Sequence, residues 1–132
     1  MATAASVTGR ASAILTTGVV YGADCDLSDS LDGMVAVDFS FTIGSLTNVT
    51  LRFYAGPAAN PTDPLYVNGI KQEYVLTAST EGCFVVPVAG ARYFRASVQG
   101  SGTVTSSLCA YNYLYNDYET TSRKDGQIVV GD

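Results

Sequence analysis

The chain alternates apolar and polar residues with a period of two, most clearly over Arg92–Tyr115. In the first half of this stretch Phe94, Ala96 and Val98 fall on one face, and a second alternating segment follows Gly100-Ser101-Gly102. Such alternation is typical of β-strands that bury one face. Because glycine reaches the positive φ that tight turns need, the Gly-Ser-Gly link predicts a hairpin between the two segments.

Further alternating runs occur along the chain, and none of its windows shows helical periodicity. Met34–Ile43 is the clearest run, with Val35, Val37 and Phe39 on its predicted inner face. Together with Val49–Tyr54 it predicts a second hairpin. About eight short strands at regular spacing indicate an all-β fold, an antiparallel β-sandwich of jelly-roll type.

The 132 residues predict one sandwich domain with two extensions. Residues 1–12 are small and polar, which predicts a flexible N-terminal arm, and residues 13–115 carry the sandwich. Residues 116–132 form a polar tail that ends in Ile128-Val129-Val130, either a last strand or a strand exchanged with another subunit. Within the sandwich, Asn68-Gly69 predicts a type I′ turn.

Charged residues make up only 14% of the chain, against about 25% in ordinary soluble domains. The surface must therefore consist largely of small neutral residues and tyrosine. Interface cores are depleted of charge and enriched in aromatic residues, so this composition favours a homo-oligomer. The alternative is that extracellular-type β-proteins simply have such a composition.

The net charge and the hydropathy pattern exclude two classes of partner. The net charge is −5 and the seven basic residues are scattered, whereas binding to phosphates needs clusters of Lys and Arg. We therefore expect no nucleic-acid partner. The sequence has no apolar run long enough to span a bilayer and no signal-peptide pattern at its N-terminus. We expect no membrane partner, and we expect synthesis in a cytoplasm.

The residue types argue against catalysis. Histidine is absent, which removes Ser-His-Asp and Cys-His nucleophiles and the usual zinc sites. The sequence has no CxxC motif and no phosphate-binding loop. Cys83 and Cys109 fall in predicted strands and are expected to be small buried side chains. The prediction is a protein that is not an enzyme and uses no cofactor.

An acidic loop supplies weak candidates for metal binding. Its carboxylates suit calcium, but an EF-hand counted from Asp24 would need Gly at its sixth position and Glu at its twelfth, where the chain has Asp29 and Val35. Solvated carboxylates, or a contact for a basic partner surface, are favoured over a metal site. The candidates are Asp24, Asp26, Asp29 and Asp32.

A row of tyrosines forms the strongest candidate contact surface. Tyr111, Tyr113 and Tyr115 share one strand face at period two, and Tyr93 and Arg95 lie on the predicted partner strand. An exposed aromatic patch of this kind marks an interface or a ligand groove. We favour a subunit interface, because tyrosine supplies rigid contact area. The alternatives are a sugar-stacking face, or rings that only border the core.

The segment ARYFRASVQGSGTVTSSLCAYNYLY begins with Tyr-Phe-Arg and continues through Gly-x-Gly-x-Val-Thr to Ser-Ser-Leu. With DGMVAVDFSFT and LRFYAG earlier in the chain, it resembles the capsid decoration (cement) proteins of tailed bacteriophages, over about residues 30–115. The resemblance implies a β-sandwich on the outer surface of the virion, often trimeric, that binds the major capsid protein and has no catalytic residues.

On this reading the chain is a head decoration protein that stabilises the capsid as a trimer. Weak candidates for capsid contact are Arg10 in the arm, and Asn60 and Asp63 in the proline-rich loop Ala55–Pro64. One alternative is a carbohydrate- or receptor-binding module, such as a fibre tip or adhesin. Another is a different virion part, such as a head–tail connector or a tail element.

Overall fold

The structure, a computed structural model, describes residues 2–28, 33–88 and 91–118, with side chains from residue 5 to residue 115 of these ranges. All regular structure in them is β-strand, which confirms the predicted all-β fold. None of these residues belongs to a helix that could cross a membrane. The strands are β1 (Ala2–Ala13), β2 (Val20–Tyr21), β3 (Cys25–Asp26), β4 (Met34–Thr42), β5 (Leu46–Gly56), β6 (Tyr66–Val67), β7 (Ile70–Lys71), β8 (Glu73–Leu76), β9 (Thr80–Pro87), β10 (Tyr93–Gly102) and β11 (Leu108–Tyr118).

Two antiparallel sheets form the sandwich. The first sheet has the order β1-β11-β4-β9, and the second has the order β2-β10-β5-β8, with β3 also paired to β10. If β2 and β3 are counted as one interrupted strand and the small β6–β7 hairpin is set aside, eight strands remain. These eight follow jelly-roll connectivity, which confirms the predicted architecture.

Both predicted long hairpins are wrong, because their strands lie in opposite sheets. The first sheet contains β4 and β11, whereas their predicted partners β5 and β10 belong to the second. Gly100 and Gly102 belong to the end of β10, and the chain crosses between the sheets over residues 103–107. The small turn is correct: Asn68 and Gly69 both have positive φ, at 53° and 79°, between Val67 and Ile70.

The N-terminal segment is a paired strand. β1 pairs with β11 from Ala2 opposite Tyr118 to Ala13 opposite Cys109. This strand takes the place of the flexible arm expected for residues 1–12. β11 also runs beyond residue 115 to Tyr118. The rest of the predicted tail, including its apolar triplet, lies outside the described residues.

The core lies between the sheets and contains the inner faces that alternation predicted. Val35, Val37 and Phe39 of β4 are buried against residues of the second sheet. Burying one such side chain stabilises a fold by about 1.5–3 kcal/mol. From the second sheet the buried residues are Val49, Leu51 and Phe53 of β5 and Phe94, Ala96 and Val98 of β10.

Candidate assembly surface

Tyr111 and Tyr113 lie in the core, so the prediction that they form an exposed face is wrong. Their side chains are 1% and 0% exposed. The Tyr111 hydroxyl donates to the carbonyl of Ala96 at 3.0 Å. The Tyr113 hydroxyl donates to the carbonyl of Ala23 at 2.8 Å and accepts from the Ala96 N–H at 3.0 Å. These two rings therefore connect the first sheet to the second, and neither is accessible to a partner.

Burial also changes the acidity of these phenols. Loss of hydration disfavours the ionised form and raises the pKa of both Tyr111 and Tyr113 well above the ordinary value for tyrosine. The same effect raises the pKa of the buried thiols of Cys25 and Cys109 to about 12. None of these four groups is a nucleophile at neutral pH.

Arg95 holds a loop of its own chain. It is 8% exposed, and its Nε donates to the carbonyl of Pro61 at 2.9 Å. Its Nη2 donates to the carbonyl of Asn60 at 3.3 Å, and its guanidinium lies 4.0 Å from the ring centre of Tyr21. Arg95 therefore fixes the loop Ala55–Pro64 over the outer face of the second sheet, and the expected surface position is wrong.

The other two predicted interface residues are partly accessible. Tyr93 begins β10, with the guanidinium of Arg92 5.4 Å from its ring centre, and Tyr115 packs against the border of the core. The predicted row of exposed rings does not exist beside them, because Tyr111 and Tyr113 are buried. Their role in subunit contact stays a prediction.

The candidate capsid contacts lie in two places. Asn60 and Asp63 are exposed on the anchored loop, and the Asn60 N–H donates to Asp24 Oδ2 at 2.7 Å. Arg10 is half-buried and donates to the carbonyls of Ile14 at 3.0 Å, Cys109 at 3.2 Å and Ala13 at 3.4 Å. It therefore stabilises the end of β1, where the strand register shifts. Contact of these residues with a capsid stays a prediction.

The acidic loop is described only in part. Asp26 accepts the Ser28 N–H at 2.9 Å, and this bond, helped by Arg92 at 3.6 Å, holds the pKa of Asp26 below its ordinary value. Asp29 and Asp32 lie outside the described residues. Within the described part of the chain, no three His, Cys, Asp or Glu side chains gather as a metal site would require.

In the described residues the outer face of the first sheet is uncovered, and sequence reasoning did not single it out. Two cross-strand rows run over all four strands, from Ser6 to Val85 and from Thr8 to Cys83. Its charged side chains in the described residues are Asp38 and Glu81. Sequence alternation could have identified this face, because its polar residues alternate with the buried core residues along the strands. The face includes Ser6 and Thr8, Leu108, Ala110, Asn112 and Leu114, Ala36, Asp38, Ser40 and Thr42, and Glu81, Cys83 and Val85.

This face ends at a flank of the sandwich where apolar side chains are exposed. Val85 of β9 is 62% exposed, and Val75 of β8 is 55% exposed. Beneath them Tyr74 stacks on Phe84 with ring centres 4.5 Å apart, which closes the core between the two strands. Cys83 is exposed here, so the prediction that it is buried is wrong: its strand is at the border of the sheet and its side chain points outward.

No protein-family model matches the chain, and no curated protein matches it in sequence. Solved structures are similar in fold. The SPBc2 prophage-derived protein YomS gives a TM-score of 0.59 at 16% identity, covering 89% of this chain and 96% of that one. A chain of Bacillus endospore appendages, described as disulfide-linked pili, gives 0.57 at 11% identity, covering 90% and 92%.

A chain of infectious bursal disease virus, Gx strain, gives a TM-score of 0.52 at 11% identity, covering 89% of this chain and 32% of that one. The sandwich therefore has structural neighbours among prophage-derived and viral proteins. At these identities the likeness is one of fold.

Proposed function

We propose that this chain is a non-enzymatic structural protein of a virus particle, and specifically a bacteriophage head decoration (cement) protein. It binds the major capsid protein on the outside of the head as a homo-oligomer, a trimer. The observation that carries the proposal is the outer face of the first sheet, a four-stranded surface of neutral polar and apolar side chains with two carboxylates. Charge-poor surface of this kind is typical of the cores of protein interfaces.

The mechanism is multivalent attachment. Each copy contributes a modest neutral contact, and symmetric repetition over the capsomers makes the sum stable. Because few ion pairs are available on this face, attachment should change little with ionic strength, whereas binding through charged patches weakens as salt screens it.

The fold and the chemistry both support a structural role. A prophage-derived protein and a viral chain have a similar sandwich, and the sequence resembles decoration proteins over residues 30–115. The chain contains no histidine. Its two innermost tyrosines and two of its cysteines are buried with raised pKa values.

The test is imaging of purified virus particles made with and without this chain, followed by addition of the purified protein. We expect extra density on the outside of the head only when the chain is present. Replacing Ser40 by Lys puts a long charged side chain on the central strand of this face, opposite Glu81, and should reduce occupancy. The matched change Ser101→Lys, at an exposed position of the second sheet, should not. Density at the tail or at the neck would replace this proposal with a tail or connector role.

A carbohydrate-binding role is the second candidate, and one feature favours it. A depression of about 330 Å³ on the second sheet is lined by hydroxyl, amide and glycine groups. Its lining has no aromatic ring for a sugar to stack on, and the tyrosines that would have supplied one are buried. Reproducible hits for the oligomeric protein on a glycan array would favour this role over the decoration role. The lining residues are Thr17, Asn48, Thr50, Gln99, Gly100, Ser101 and Gly102.

A further inference from the structure

The first sheet has two free edges in the part of the chain that the structure describes. β1 forms one edge and β9 the other, and every neighbouring pair between them is antiparallel. With four strands in this order, β1 and β9 run in opposite directions. A second copy in the same orientation would therefore place its β1 antiparallel to the β9 of the first.

Within the described residues, the middle of the β9 edge lacks the features that usually protect an edge strand. Natural edges carry charges, prolines or bulges, or are covered by other segments. In β9 the carboxylate of Glu81 and the ring of Pro87 lie near the two ends. The five residues between them, Gly82 to Val86, carry no charge. Two of them, Cys83 and Val85, are exposed.

The direction of the backbone hydrogen bonds shows which groups each edge offers. The Val88 N–H donates to the carbonyl of Gly33 at 2.7 Å. In an antiparallel pair the bonded residues alternate, so the N–H and C=O groups of Cys83 and Val85 point away from β4. The same alternation, followed across β4 and β11, turns those of Ser6 and Thr8 away from β11.

We propose that β9 of one copy pairs antiparallel with β1 of a second copy, with Val85 opposite Ser6 and Cys83 opposite Thr8. The two first sheets then form one continuous sheet. In both strands the edge-directed residues have their side chains on the outer face, so the pairing keeps both cores on the same side. This contact deepens the proposed function and rests on it, because it names the strands through which copies of the homo-oligomer join.

The register also matches on the inner face. It places Phe84 opposite Val7 and Val86 opposite Ala5. Phe84 and Val7 are both only partly buried and pack against the core of their own copy, so pairing would cover apolar surface on both. The register ends naturally at Thr8, because the carbonyl of Gly9 already accepts the Ala23 N–H at 2.9 Å.

The charges at the two edges favour this pairing over a symmetric one. Glu81 is the charged residue of β9, and Arg10 is the charged residue of β1. Pairing β9 with β1 brings an acidic edge to a basic one, whereas pairing β9 with β9 would bring two acidic edges together. A contact between unlike edges repeats from copy to copy, and it closes into a ring when the rotation allows.

Disulfide trapping tests the register. Directly opposed residues of a hydrogen-bonded pair have Cα atoms about 5.5 Å apart, which a disulfide can span. We expect Thr8→Cys, treated with the thiol oxidant diamide, to form covalent multimers of the 13.8-kDa chain in which peptide mapping finds Cys83 bonded to position 8. Ser40→Cys, on the same face of the central strand β4, should form none. A product joining Cys83 to Cys83, or no product at position 8, would overturn the proposal.

A noncovalent measurement uses two matched exposed valines. Val85→Lys places a charge at the β9 edge and should weaken self-association in sedimentation by at least about tenfold. Val75→Lys, on the exposed edge strand β8 of the other sheet, should leave it unchanged. Equal effects of the two changes, or a wild-type chain that stays monomeric at high micromolar concentration, would refute the edge contact. Both measurements use the purified chain without capsids, so they can fail while the particle experiment succeeds.

Discussion

The two flanks of the sandwich are closed in different ways. On the flank formed by β1, β2 and β3, tyrosine hydroxyls from β11 bond to Ala23 and Ala96, and Arg10 donates to three carbonyls. On the flank formed by β8 and β9, the rings of Tyr74 and Phe84 stack beneath exposed valines. Polar bonds between side chains and backbone close the first flank, whereas stacked apolar rings close the second.

The largest difference should come from removing one tyrosine ring on each flank. Tyr113→Ala removes a fully buried ring and leaves the Ala96 N–H and the Ala23 carbonyl unpaired. We expect it to lower the free energy of unfolding by about 3–5 kcal/mol. Tyr74→Ala should cost clearly less, because that ring is only partly buried.

Urea unfolding of the two variants measures this difference, and Tyr113→Phe separates the hydroxyl from the ring. We expect the phenylalanine variant to lose about 1–3 kcal/mol, the cost of leaving buried polar groups unpaired. If Tyr113→Ala proved no more destabilising than Tyr74→Ala, the first flank would not be the more tightly fixed one.

A second comparison uses one glycine in each edge strand. A Cβ at Gly9 of β1 would lie 2.5 Å from the Tyr111 ring and 2.7 Å from Cζ of Tyr113. Gly9→Ala should therefore cost about 1–3 kcal/mol through overpacking. At Gly82 of β9 a Cβ meets nothing within 4 Å, so Gly82→Ala should be nearly neutral. Thermal unfolding of both variants checks this, and equal shifts would show that the two edges are equally packed.

The third prediction concerns the pH dependence of stability, which comes from the two buried tyrosines of β11. Unfolded tyrosine ionises near pH 10, and the folded pKa values of Tyr111 and Tyr113 are raised above that by burial. Their contribution to stability is therefore complete below about pH 10 and is lost as the pH rises towards the folded values.

We expect the urea midpoint to fall above about pH 10, and to fall less steeply in the Tyr111→Phe/Tyr113→Phe double variant. A wild-type midpoint that stays constant up to about pH 11 would mean that both phenols ionise as easily in the folded chain as in the unfolded one. Absorbance of tyrosinate, followed in the same samples, distinguishes ionisation before unfolding from ionisation after it.

The fold class and several strand faces could be predicted from the sequence, because alternation reports one buried face directly. Met34–Thr42 shows this: Val35, Val37 and Phe39 are buried as the pattern indicated. Partner choice could not be predicted in the same way. Alternation identifies a strand but not the sheet that it joins. The pattern therefore predicts hairpins at two places where the chain crosses from one sheet to the other.

The prediction of an exposed tyrosine surface is wrong because β11 carries large apolar or aromatic residues on both faces. In β11 the residues Leu108 and Leu114 alternate with Tyr111 and Tyr113, and the pattern alone does not say which set is inside. The structure buries the tyrosines and exposes Leu108, since the larger rings fill more of the core and their hydroxyls find partners. The small residues of β1 predict an arm and not a strand, because β1 forms through its pairing with β11, which its own side chains do not indicate.

The Tyr111 side chain fills the space beside Gly9 and Gly22, and this packing limits which substitutions the chain can accept. A side chain at Gly22 would collide with the Tyr111 hydroxyl and lie 2.8 Å from the carbonyl of Gly9. Gly9, Gly22 and Tyr111 are distant in sequence but share one packed space, so a larger side chain at one of them needs a smaller one at another. A lineage could exchange the large ring for a small residue, or fill either glycine, only by compensating within the same trio.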